Sequence, residues 1–542
     1  MTIKEKRIVA CALVTGWISM SLFSCVNADI RSSEDYVGSR KASISQDRKK
    51  QDDLVQSRNE FRGRKKPTTG PLDISIEEAI LIALENNRGF QVERLKPQIR
   101  RTYEIEERAA FDPTLSAEYS ISRDYIEWES EATGETTIKD TRQTDAEVEI
   151  SEFLPTGTDI KVELTTDLTD SNTSTDLNST RGGITITQAL LRGLGPNVNL
   201  ATLRQARLDT LVSQYELRGF AESLVAEVEK TCWDYILAKR RIAIFAGSLE
   251  LAEDQLRETQ ERIRIGKLAG VELYAAQAEV ARRREALINA KSNLALTRLG
   301  LQRLLNLEWN CDISVADKPI VPDVNLDDVA DHVQVALRWR PEINQARLGI
   351  KRGDLEIAKT KNGLLPVIDL FITMGRTGYA DSFRGSMDDL DGESYDIAGG
   401  ITFEYPINRR AAMAEHQRST LSRQKSEEAL LNLIQLIEVD VRSAFIEINR
   451  AKEQVTATAA TRKLQEESLR AETEKFRVGK STTLLVAQAQ RDLVTSQIVE
   501  IEVIMTYLQA LTELYRLEGS LLERRGIAAP GREPVDLVFD NN

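Results

Sequence analysis

Proline ends helices because it lacks a backbone N–H and its ring clashes with the preceding turn. The chain has 13 prolines in 542 residues, yet none between Pro196 and Pro319 and none between Pro406 and Pro530. Two windows of more than 120 residues are thus free to be helix. Their apolar residues are spaced for it. Leu217, Ala221, Leu224, Val228, Thr231, Tyr235, Ala238, Ile242, Phe245, Leu249, Ala252, Leu256, Thr259 and Ile263 follow in steps of 4 and 3. That is a heptad seam, the pattern of helices that coil around each other. Leu273, Ala276, Val280, Leu287, Ala290, Leu294 and Leu301 continue it, and Ile437, Val441, Ala444, Ile448, Ala451 and Val455 repeat it in the second window. A helix predicted from about 198 to 264 would extend ~100 Å. Apolar residues on several faces predict packing against further copies.

The chain is also written twice. Ala83-Leu84-Glu85-Asn86-Asn87-Arg88 matches Ala336-Leu337-Arg338-Trp339-Arg340-Pro341 at an offset of 253, as Phe111-Asp112-Pro113 matches Leu364-Leu365-Pro366. Ile184-Thr185 matches Ile401-Thr402 at 217, and Glu261-Arg262-Ile263-Arg264-Ile265-Gly266-Lys267 matches Glu474-Lys475-Phe476-Arg477-Val478-Gly479-Lys480 at 213. So long a period marks a duplicated domain rather than a solenoid. The fall from 253 to 217 places about 36 extra residues in the first copy. Each copy is predicted to open with a helix, capped by Ser75 with Glu78 or Asn325 with Asp328. These helices should run to about Ala110 and Asn362, the second restarting near Pro341.

Alternating segments follow. Leu115, Ala117, Tyr119 and Ile121 share one strand face, as do Ala146, Val148 and Ile150, and Ile160, Val162 and Leu164. In the second copy Ile368, Leu370, Ile372 and Met374 do so, and Tyr395, Ile397, Ile401, Phe403 and Tyr405. Such strands suit a half-buried soluble sheet or a membrane barrel. The barrel is favoured, because the rest of the chain is committed to long helices and cannot cover these faces. Tyr125, Trp128, Tyr379, Phe383 and Tyr405 near strand ends would supply an aromatic girdle.

The amino terminus reads as an export signal over residues 1–28. Lys4, Lys6 and Arg7 precede an apolar run from Ile8 to Phe23, short for a spanning helix. Leu22-Phe23-Ser24-Cys25 resembles a lipobox, which would make Cys25 the acylated first residue; cleavage after Val26-Asn27-Ala28 is the alternative. Residues 29–71 read as a disordered polar tether, with 11 Lys/Arg against 6 Asp/Glu between 31 and 66. The first repeat then covers 72–318, the second 319–520, and a tail 521–542.

Composition excludes several functions. Two histidines, His332 and His416, and four cysteines provide neither a zinc site of usual spacing nor a disulfide framework. Cys232 and Cys311 should lie too far apart along a helical hairpin to join, and read as small buried residues. A net charge of -13 argues against nucleic acid. Gly479-Lys480-Ser481 mimics a phosphate loop, but the motif needs a glycine where Glu474 stands, after a strand. No catalytic residues, cofactor or metal are expected.

The duplicated order of helix, strands and helical hairpin resembles the TolC family of outer-membrane efflux proteins over nearly all of residues 72 to 520. Its carriers include Leu72-Asp73-Ile74-Ser75-Ile76-Glu77-Glu78-Ala79, Thr187-Gln188-Ala189-Leu190-Leu191-Arg192-Gly193 and the paired Arg-Ile-Gly-Lys and Arg-Val-Gly-Lys tips. The resemblance implies a mostly α fold with a membrane β-barrel, in which strands and long coiled-coil α-helical hairpins from a homotrimer form one conduit. It implies contact with outer-membrane lipid, and docking of a periplasmic adaptor (membrane fusion) protein and an inner-membrane transporter at Gly266, Lys267, Leu268, Gly479, Lys480 and Ser481. A carboxylate latching the family's periplasmic aperture matches Glu272, but its tyrosine and arginine partners match Phe476 and Ser481. Two acids of the pore mouth match Leu485 and Gln488. That latch and that acidic ring cannot form here in the same way. Ala189 stands where the family often has proline, and the extra residues leave four or six strands per subunit open. Outer-membrane service in type I protein secretion is one alternative, and a pore-less coiled-coil lipoprotein of the periplasm is another.

Overall fold

The computed structural model describes residues 72–129, 136–172, 174–316, 321–322 and 328–536. The expected signal peptide, Cys25 and the tether lie outside the described residues.

Strand β1 (Leu72–Ile74) leads into helix α1 (Ile76–Asn86). Ser75 Oγ accepts from Glu78 N at 3.2 Å while the Glu78 carboxylate accepts from Ser75 N at 2.9 Å, the capping box read from the sequence. The helix does not run unbroken to Ala110. It stops at Asn87, whose extended backbone redirects the chain into α2 (Arg88–Ala109) and whose side chain accepts from Phe90 N at 3.0 Å. In the second copy α6 (Val329–Trp339) starts at Asp328; the predicted cap Asn325 lies outside the described residues. There the same break falls at Arg340, before α7 (Pro341–Asn362). An asparagine cap in one copy and a proline in the other make the same corner.

Six strands form one antiparallel sheet in the order β2 (Thr114–Glu129), β3 (Thr136–Leu154), β4 (Thr158–Ser171), β5 (Ser174–Ala189), β7 (Val367–Ala380), β8 (Tyr395–Glu404). Among the described residues the open choice of four or six falls at six. β3 and β4 with their turn occupy residues 136–171, which are the 36 residues that the first copy has in excess. β7 and β8 are joined through α8 (Phe383–Asp388) and a 3-10 turn.

The turn α3 (Pro196–Asn199) starts the descent into α4 (Ala201–Arg264), 64 residues long, which returns as α5 (Glu272–Leu305). α9 (Arg410–Arg477), 68 residues, returns as α10 (Thr483–Leu517). Of the predicted seam on α4, Leu217, Ala221, Leu224, Val228, Tyr235, Ala238, Ala252 and Thr259 are buried and the others half-buried. Ile437, Val441, Ile448 and Ala451 are buried likewise on α9.

The hydrophobic core lies where the two repeats meet. β1 pairs in parallel with β6 (Ile313–Val315), and the Tyr235 hydroxyl donates to Ile313 O at 2.6 Å. Val225, Leu301, Ile343, Ile437, Tyr507 and Leu514 fill the space beside them. Cys232 and Cys311 are both buried, as their reading as small core residues expects. Past α11 (Leu521–Arg524) the described part of the tail is held to the helices: Val535 N donates to Asn344 Oδ1 at 2.8 Å, and Tyr215 donates to Glu533 O.

Candidate functional site: the sheet faces and the helical tips

Strand pairing carries the alternating residues across all six strands. Leu115, Ile150, Val162, Ile184, Met374 and Ile397 stand in one row, and Ala117, Val148 and Leu164 in the next. The result is a continuous apolar belt, exposed on the single chain: Leu115, Val148, Ile150, Val162, Met374 and Ile397 are all open. The five apolar strand groups read from the sequence lie on this one face. Phe403 and Tyr405 stack at its helix-side margin with centroids 6.4 Å apart, and Tyr125 stands toward the other. Tyr379 departs from the expected girdle, because it pairs with Ser179 and so shares the polar face. Phe383 opens α8 instead of ending a strand, and the side chain of Trp128 lies outside the described residues.

The opposite face is rich in acids. Glu118 pairs with Glu147, Asp145 with Asp167, and Glu149 with Glu163. Carboxylate oxygens of Glu147, Glu149 and Glu163 come within 4.8 Å of one another. Arg181 offsets part of this charge by reaching Glu163 on β4 and Asp396 on β8, the latter at 3.0 Å. None of these residues was singled out from the sequence; the signal was the polar half of each alternating run.

At the far end of the molecule both hairpins turn on the same device. Gly266 (φ +74) and Gly479 (φ +77) adopt the left-handed conformation that side chains resist. Lys267 N then donates back to Arg262 O, and Lys480 N to Lys475 O, each at 2.8 Å. These bonds close the helix ends in the Schellman manner. Lys267 and Lys480 are exposed, Leu268 and Ser481 half-buried. Ile265, Val271, Tyr274, Val478 and Leu484 leave both tips apolar and open.

The two tips are joined differently from what Glu272 suggested. Phe476 is buried at 3% exposure, under the guanidinium of Arg262, whose Cζ lies 4.3 Å from the ring centroid. Arg262 also donates to Phe476 O at 3.3 Å and to Glu258 at 2.6 Å. Ser481 donates to Glu472 on its own hairpin; with Lys475 it holds the Glu472 carboxyl below the usual range. Leu485 and Gln488 are exposed on α10. Arg262 appeared in the repeated tip motif, but spacing alone could not place it over a ring 214 residues away. Between the hairpins Gln255 Nε2, Thr259 Oγ1 and Thr483 Oγ1 are buried without a hydrogen-bond partner among the described residues. Each such group costs about 1–3 kcal/mol. This contact is therefore more polar than the apolar core above it.

Among the described residues no helix is long and apolar enough to cross a membrane. The family model for outer membrane efflux proteins matches residues 79–307 and 332–520. The chain belongs to the outer membrane efflux protein family. Solved structures agree on the fold. The outer-membrane channel OprN is similar at a TM-score of 0.63 and 14% identity, over 82% of this chain and 90% of that one. The channel protein CusC is similar at 0.62 and 17%, over 82% and 92%. The open state of the MtrE outer-membrane channel of Neisseria gonorrhoeae is similar at 0.60 and 18%, over 82% and 89%. No match was found among curated proteins. Membership in this family makes the protein an outer-membrane efflux channel with its helices in the periplasm, and not an enzyme.

Proposed function

We propose that the protein is a passive homotrimeric conduit of a tripartite efflux or export system. The observation that carries this reading is the union, in one chain, of a strand wall with a continuous apolar belt and two hairpins with helices of 64 and 68 residues. Lipid covers the belt, water meets the acidic face, and the hairpins of three copies enclose the duct across the periplasm. The exposed apolar tips around Gly266, Lys267, Leu268, Gly479, Lys480 and Ser481 are the docking surface for a periplasmic adaptor, which couples the conduit to an inner-membrane transporter.

The tips also form the gate. Glu272, Phe476, Leu485 and Gln488 lie there, and the contact of Arg262 with Phe476 supports closure by a cation over a ring rather than by a carboxylate latch. The loosely matched polar contacts around Thr259 and Thr483 favour a joint that adaptor binding can part. Domain roles follow the repeats: 72–318 and 319–520 each supply one wall segment and one hairpin. The six-stranded sheet counts against a pore-less coiled coil.

The test is purification in detergent followed by planar-bilayer recording. A heat-resistant trimer conducting in discrete steps is expected. A soluble dimer, or no conductance after Arg262 and Phe476 are replaced, would overturn the reading.

A further inference from the structure

The two edges of the sheet are β2 and β8. In hydrocarbon an unpaired backbone N–H or C=O costs several kcal/mol, so a lipid-facing edge must find a partner. β2 begins at Thr114, just after α2, and β8 ends at Glu404, just before α9. Both ends therefore lie at the helical side of the sheet, and the two strands run in opposite directions. A second copy can thus set its β2 against β8 of the first as an ordinary antiparallel neighbour. An even number of strands is what allows this, and the 36 extra residues add two.

Those two strands are wall, not a lid. Ile150 of β3 and Val162 of β4 stand in the belt row that Ile184 and Met374 continue, and Val148 and Leu164 stand side by side in the row next to it. Their turn is fastened at the helix junction: Gly195 N donates to Thr156 O at 3.1 Å, and Asn199 Nδ2 to Pro155 O at 3.0 Å. The repeat itself carries the mark of the addition. Pro406 in the second copy matches Ala189 in the first. Ala189 N donates to Gly157 O at 2.9 Å, a bond to the added turn that proline could not make.

We propose that β8 of each copy pairs with β2 of the next, closing an eighteen-stranded barrel in which β3 and β4 are inserted wall. This rests on the trimeric conduit proposed above. With strands ~4.8 Å apart and tilted ~40°, eighteen strands span ~35 Å between opposite backbones, against ~24 Å for twelve. The cross-section is roughly twofold larger. The insertion thus widens the exit without altering the helical duct.

The experiment is electron cryomicroscopy of the full-length protein in nanodiscs, with a variant lacking residues 136–171 beside it. Eighteen strands are expected in the native cross-section and twelve in the variant, where β2 would meet β5. Independently, Ser116→Cys combined with Ala398→Cys or Thr402→Cys should link copies into a covalent trimer under oxidation. If the variant does not fold, the native cross-section and the cross-links still decide. A conducting trimer with twelve wall strands and β3–β4 outside them would overturn this proposal alone. A protein that forms neither trimer nor pore would overturn the conduit as well.

Discussion

The guanidinium of Arg262, at the end of α4, covers the ring of Phe476, at the end of α9, and so ties the last turns of two hairpins that share no sequence neighbourhood. A cation over an aromatic face at a partly exposed site contributes ~1 kcal/mol, or about fivefold in an equilibrium. Arg262→Ala should therefore raise the open probability of single channels about fivefold, and Phe476→Leu by a similar factor. The double variant should add little to either. Independent, additive effects in bilayer recordings would show that the two residues do not act as a pair.

Gly266 and Gly479 hold positive φ in open space, so a side chain added there meets no atom and pays only for the backbone conformation. Gly479→Ala should cost about 1 kcal/mol, and Gly479→Asn less, because asparagine tolerates the left-handed region. Thermal unfolding followed by circular dichroism would check the order; equal losses from both substitutions would contradict it.

These turns show what was legible beforehand. Heptad spacing, alternation and the doubled order located both hairpins, five apolar strand faces and both glycine corners, because each is a local pattern with a fixed period. The break at Asn87 was missed, since nothing in an asparagine within an apolar-periodic run separates a cap from a surface position. Tyr379 reads as a girdle residue because aromatic character is visible in sequence while strand parity depends on pairing. Arg262 and Arg181 stayed unassigned for a related reason: their partners, Phe476 and Asp396, come from the other copy.

Burial pushes the Glu222 carboxyl up to about 8, against the pull of Arg218 3.3 Å away. Its folded pKa lies above the unfolded value, so its contribution is favourable at low pH and is lost as pH rises from about 4.5 to about 8. Glu222→Gln should then change stability little at pH 5 and raise it by roughly 4 kcal/mol at pH 8.5. Unfolding midpoints of both proteins at the two pH values test this. A variant destabilised equally at both would assign Glu222 a purely packing or pairing role.

The acidic polar face predicts cation selectivity. Glu118 pairs with Glu147, Asp145 with Asp167 and Glu149 with Glu163, and in the proposed trimer these rows would recur in every copy around the lumen. Rings of carboxylates concentrate cations, and salt screens them within ~10 Å at 0.1 M. Reversal potentials in a salt gradient should favour cations, more strongly at 0.1 M than at 1 M, and Glu147→Gln with Glu149→Gln should weaken the preference. Anion preference in the native channel would refute the assignment of this face to the lumen.

The buried seam of α4 steps down the helix by sevens, and the seam of α9 does the same. Such a helix is a ruler graduated in heptads: each unit removed in phase from all four long helices shortens the reach by ~10 Å and leaves every remaining knob facing its hole. Removing three or four residues would instead rotate the tips against one another. The depth to which this channel hangs into the periplasm is therefore a discrete quantity, and a partner meeting it from the inner membrane faces a gap that can change only in steps.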